Sequence, residues 1–195
     1  MKALVIADGS KPLSKAEKLS IRRGLPISLG PSVCGRCVAA GGGCCTSEPG
    51  IFGPPLTRAD EERIAAATGL TPRKFVHVRS VDAEEQRAWE EDVPSAKGIV
   101  VRGKVRSLAR PDGRCLLLTE RGCSLPLDAR PLQCRLFPFV VRGRSLTVQP
   151  AGECLAVREA DGISSLARQL RTSAQELVQL DGQLQEELGQ RTPKA

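Results

Sequence analysis

The chain has 195 residues, a formal charge of +7 and 41% apolar residues, which is room for one domain with appendages and too little for two of ordinary size. That apolar fraction argues against a disordered chain, and no run approaches the roughly 20 apolar residues of a membrane-spanning helix. The opening Ala3–Ala7 run is too short for the apolar centre of a secretory signal and is stopped by Asp8, so the expectation is a soluble, cytoplasmic protein.

Aromatic residues are scarce: one Trp, four Phe and no Tyr. A core here has to be built from Leu, Val, Ile and Ala. In chain order, residues 1–33 read as an N-terminal arm of low order, with a short helix around Ser14 to Arg23. Residues 34–55 read as loop, dense in Gly and Pro and without a period of 3.6 or 2. A helix is predicted over 57–68, with Thr57 as N-cap, Asp60 at the capping-box position and Gly69 as the stop. Thr71-Pro72 opens a second, short helix that carries Phe75 inward. The acidic stretch from Ser80 to Asp92 is predicted helical, and Asp60, Glu61 and Glu62 read as an acidic helix N-terminus rather than as catalytic acids.

Short antiparallel strands are predicted over 99–149. Ile99–Arg106 is one, Pro111-Asp112-Gly113 a turn, and Arg114–Thr119 a second strand that turns through Glu120-Arg121-Gly122 into Cys123. Val140-Val141 and Leu146–Gln149 form a hairpin about Gly143. A C-terminal amphipathic helix is predicted over 163–188, where Ile163, Leu166, Leu170, Leu177, Leu180, Leu184 and Leu188 recur at steps of three and four. Gly182 marks a place where it can break. That stripe serves either the chain's own core or a helical partner or homodimer through residues 163–188. The fold class is thus a small, irregular, cysteine-rich α+β domain: an arm (1–33), a cysteine-bearing domain (34–160), and a C-terminal helix and tail (161–195).

The eight cysteines fall into two groups of four. Cys34, Cys37, Cys44 and Cys45 are close together, as Cys-x-x-Cys and then an adjacent pair. Cys115, Cys123, Cys134 and Cys154 are spread out, each near a turn signal. Soft thiolates in fours suit zinc or an iron-sulfur cluster, and a reducing compartment favours ligation over disulfides. Neighbouring side chains point to opposite faces of an extended backbone, so one of Cys44 and Cys45 can ligate while the other reaches a second site or stays free. The simplest divisions are one site per group or one shared cluster.

As an ordered set, Cys34, Cys37, Cys44-Cys45, Asp60, Gly113-Arg114-Cys115 with Leu118, Cys123-Ser124-Leu125, Arg130-Pro131-Leu132-Gln133-Cys134-Arg135 and Phe137-Pro138-Phe139 resemble the cysteine-cluster proteins of the YkgJ type, described as zinc- or iron-chelating. The resemblance spans about Cys34 to Cys154. The loop between Cys37 and Cys44 is longer than the family's usual spacer, and Pro126-Leu127-Asp128 stands where the family has an aromatic-acidic pair. It implies metal chelation, and larger relatives associated with protein lysine methylation raise a cluster-dependent protein-modifying enzyme as an alternative. A thiol-redox enzyme is another alternative, disfavoured by reading Cys-x-x-Cys outside a helix start. Arg130 and Arg135 invite a role as donors to thiolates.

Eleven Lys and Arg face three acids between Lys97 and Arg144, so the whole positive surplus lies in the second cysteine region. An anionic partner, including nucleic acid bound by a module with structural metal, is one use of it. Counter-charge for thiolate sites is another. His77, the only histidine, reads as an ordinary side chain and weighs against histidine-based hydrolysis.

Overall fold

The computed structural model describes residues 32–46, 53–92, 98–143 and 145–189. The arm and the helix around Ser14 to Arg23 lie outside these residues, apart from the last two positions of the arm. Among the described residues the architecture is α+β, with short helices and three separate two-stranded antiparallel sheets.

Helix α1 (Val33–Ala39) starts at Ser32, whose hydroxyl accepts from the Gly35 amide at 3.1 Å. It overturns the loop reading of the Cys-x-x-Cys segment. The glycine run that hid the helix only ends it. Helix α2 (Arg58–Thr68) has the predicted caps: Thr57 and Asp60 exchange side-chain and backbone hydrogen bonds, and Gly69 turns left-handed at φ 70°. Pro72–Phe75 forms α3, with Phe75 fully buried.

The chain then runs directly into β1 (Val76–Ser80), which the sequence reading had not assigned. It pairs with β2 (Lys104–Leu108), Val76 opposite Leu108 and Ser80 opposite Lys104. The strand predicted over Ile99–Arg106 is therefore displaced toward its C-terminal end, because Val101 and Lys104 close a tight turn with Arg102 at φ 52°. Between these strands lies α4 (Ala83–Asp92).

Beyond a short 3-10 turn at Pro111–Gly113, the predicted strand Arg114–Thr119 contracts to β3 (Leu118–Thr119), paired with β4 (Gly122–Cys123). A second 3-10 turn, Leu127–Ala129, leads to α5 (Leu132–Leu136). The predicted hairpin follows as β5 (Phe139–Arg142) and β6 (Ser145–Val148), after a cis Phe137-Pro138 bond. Helix α6 (Leu155–Glu159) begins at Cys154.

The predicted C-terminal helix is two helices, α7 (Ile163–Gln169) and α8 (Ala174–Glu187). The break falls not at Gly182 but at Ser173, whose hydroxyl accepts from Glu176 N at 3.1 Å. A Ser side chain competing for backbone amides starts a new helix more readily than it continues an old one. Gly182 sits buried inside α8.

Two apolar clusters hold most of the core. One joins α1, α5, β5, β6, α6, α7 and α8 around fully buried Leu132 and Leu177. The other gathers Ile64, Phe75, Leu108, Leu117 and Leu125 from α2 to the turn before α5. The leucine stripe of α8 enters the first: Leu177, Leu180 and Leu184 are at most 5% exposed. No helix among the described residues is long and apolar enough to cross a membrane.

Candidate metal centre

The cysteines are delivered by several local devices. Cys34 and Cys37 stand one turn apart on α1. The chain then folds back over them: the Cys37 thiol reaches the Gly42 carbonyl at 3.1 Å. At Gly43, where φ is 119°, a Cβ would come within 2.6 Å of Cys37 Sγ. Only glycine meets both demands, and this turn sets Cys44 and Cys45 beside the helix.

The Cys45 carbonyl accepts from Cys115 N at 2.9 Å, tying the adjacent pair to the second cysteine region. Cys123 lies on β4 opposite Leu118. Cys134 sits between Leu132 and Leu136, whose side chains enter the core. Two residues from each, it faces the other way. Cys154 starts α6 next to buried Ala151, and the Cys37 thiol lies 4.0 Å from the carbonyl of its neighbour Glu153.

All eight cysteines are free thiols, and all eight line one cavity of about 1190 Å³. Cys44 and Cys134 are accessible, yet burial raises the Cys134 thiol well above its ordinary value. Both residues line the cavity. Burial likewise raises Cys115, to about 11, and raises Cys34. Cys45 moves the other way. A hydrogen bond from the Cys44 thiol holds it below the ordinary value against the cost of burial, helped by Arg110 and Arg130. Cys44, the donor, is raised correspondingly.

Arg130 lines the cavity and its charge acts on Cys34 and Cys45, but its Nε donates to the Leu125 carbonyl at 3.1 Å rather than to a thiol. Arg135 reaches Glu176 at 3.4 Å and is not part of the cavity wall. Arg110, which the sequence did not single out, takes that place and donates to the Cys44 carbonyl. Nothing in the sequence near Arg110 distinguishes it from the other arginines. Arg106 is likewise used internally, donating to buried Glu61 at 2.7 Å. His77 is exposed on β1 and outside the cavity wall.

Asp60 is fully buried and supports the site from behind. Its carboxylate accepts from Thr57 N at 3.0 Å, from Arg63 at 2.6 Å, and from Leu132 N, the first residue of α5, at 3.0 Å. The helix that carries Cys134 is thereby anchored to the start of α2.

The thiols stand around the cavity without closing on a point: among the described residues no three His, Cys, Asp or Glu side chains converge as a metal-binding group. Comparison with protein-family models, with curated proteins and with solved structures found no match to this chain.

Proposed function

We propose that this is a cytoplasmic metal-binding protein that chelates an iron-sulfur cluster or zinc through cysteine thiolates. The observation that carries the reading is the gathering of all eight thiols, from both ends of the domain, onto the wall of one cavity. The donor chemistry fits either occupant, since both are held by sets of four thiolates. Arg110 and Arg130 supply counter-charge that thiolate sites need, and the ordered resemblance to the YkgJ type points the same way. Of the two occupants, iron-sulfur is preferred slightly.

Elemental analysis of protein purified without air tests this. Iron with acid-labile sulfide and a brown colour is the expected result. A colourless protein with stoichiometric zinc reverses the choice of occupant, and a protein that neither carries metal nor takes it up refutes chelation. A thiol-redox enzyme is the second reading, favoured by the lowered Cys45 beside Cys44. Alkylation of metal-loaded protein separates the two, because a redox thiol stays reactive when the others are protected.

A further inference from the structure

The sequence reading set Cys44 and Cys45 on opposite faces of an extended backbone. The fold does not. The Thr46 amide donates to the Gly43 carbonyl at 2.9 Å, and the Thr46 hydroxyl donates to the same oxygen at 3.1 Å. Cys44 and Cys45 are therefore the two central residues of a β-turn, and neither has a positive φ, which matches the type I form. Near-helical backbone at both positions turns successive side chains by about 100° instead of the 180° of a strand. The Cys44 thiol accordingly meets its neighbour and donates to the Cys45 sulfur. The carbonyls on either side of the pair are also held: Cys44 by Arg110, and Cys45 by Cys115 N at 2.9 Å. Two thiols are thus fixed side by side on the cavity wall, with Cys44 exposed and Cys45 half-buried.

Such a pair is a poor disulfide. Adjacent Cα atoms across a trans peptide lie about 3.8 Å apart, short of the roughly 4.4–6.8 Å that an S–S bond spans. An inserted ion, with metal–sulfur bonds of about 2.3 Å, keeps the sulfurs apart as the hydrogen bond between them already does. Zinc needs four donors, and among the described residues no third His, Cys, Asp or Glu converges with the pair. Monovalent copper is soft, selects thiolates and is satisfied by two of them. We infer that the Cys44-Cys45 turn is a two-thiolate site for monovalent copper. Both thiols lose their protons to solvent, two copper–sulfur bonds form, and no electron changes hands. The resulting single negative charge faces Arg110 and Arg130 on the same wall. The inference goes beyond the chelation reading, since it needs two sulfurs rather than four and names a different ion.

The test adds one equivalent of Cu⁺ to the full chain without air, in competition with a chromophoric Cu⁺ chelator. Wild type should hold the ion on two sulfurs, as counted by X-ray absorption. Cys44→Ser and Cys45→Ser should each weaken it by about 100-fold or more. Cys37→Ser and Cys123→Ser, elsewhere on the wall, should leave it within about threefold of wild type.

Three or more sulfurs at the copper, or equal weakening by Cys37→Ser or Cys123→Ser, overturns the inference in favour of an ion shared across the cavity. Wild-type affinity in Cys44→Ser or Cys45→Ser overturns it outright. Unchanged far-ultraviolet circular dichroism qualifies each variant. Should Cys45→Ser lose its fold, Cys44→Ser, whose residue is exposed, decides. Zinc and iron uptake are measured on the same preparations. A chain that takes neither yet passes the copper test sinks the chelation reading and keeps this one; a chain that takes zinc or iron but yields its copper to the chelator does the reverse.

Discussion

At the scale of single residues, charge explains which side chains matter around the thiols. Arg130 precedes α5 and Arg135 lies within it, and the two look alike in sequence, yet only Arg130 reaches the cavity. On the chelation reading, removing a cation beside a thiolate leaves negative charge uncompensated, so Arg130→Leu should weaken metal binding roughly 10-fold or more. Arg135→Leu should leave it unchanged. Competition against a chromophoric chelator measures both.

Asp60 offers a sharper case. Deleting its carboxylate strands the buried Thr57 and Leu132 amides, while Arg63 keeps Glu187, so Asp60→Ala should destabilise the fold by about 2–4 kcal/mol in denaturant unfolding. Because Leu132 N is one of those amides, the same variant should also, on the chelation reading, lose protection of Cys134 when the metal-loaded protein is alkylated.

At the scale of elements, the ends of α2 and the β5–β6 hairpin were readable and strand β1 was not. Thr57, Asp60 and Gly69 act within a few residues of themselves, and α2 stops and starts where they say. Strand β1 has no such local mark. Val78 is 46% exposed and His77 faces solvent, so no buried alternation advertises the strand. It exists because Lys104–Leu108 pairs with it from a distance. The cysteines themselves were legible, as was the place of Arg130 among them. The helix beneath Cys34 and Cys37 was not, because the glycines that end it dominate the composition of the segment.

The C-terminal end of α8 makes the element scale testable by pH. Glu187 accepts from Thr57 and from Arg63, the latter at 2.7 Å. Burial opposes its charge, but hydrogen bonds from Arg63, Thr57 and Gln183 outweigh that and hold the carboxyl below its ordinary 4.5. A folded-state value below the unfolded one gives stability that is complete above the ordinary value. That stability is lost as pH falls through the depressed one. Glu187→Gln should therefore lower stability at neutral pH and flatten the acid side of the stability curve, as read from denaturant midpoints between pH 7 and pH 3.

At the scale of the whole molecule, two modest apolar clusters face a shared cavity walled by sulfur. Few aromatic rings are present to fill such a space. On the chelation reading, metal is what binds the two clusters across it, and any ligand that binds only the folded form stabilises it by mass action. Stripping the metal with a strong chelator should lower the melting temperature and broaden the transition, as the clusters lose their common cross-link. Differential scanning calorimetry before and after chelation, with zinc added back, checks this.

The reach of Asp60 across 72 positions to the first amide of α5 has a consequence for anyone transplanting the Cys134 segment. An excised peptide running from Arg130 to Phe139 would carry Cys134 but lose the acceptor that anchors its short helix. A portable version must therefore include the opening turn of α2, and a minimal mimic should be designed from those two distant pieces rather than from any contiguous stretch.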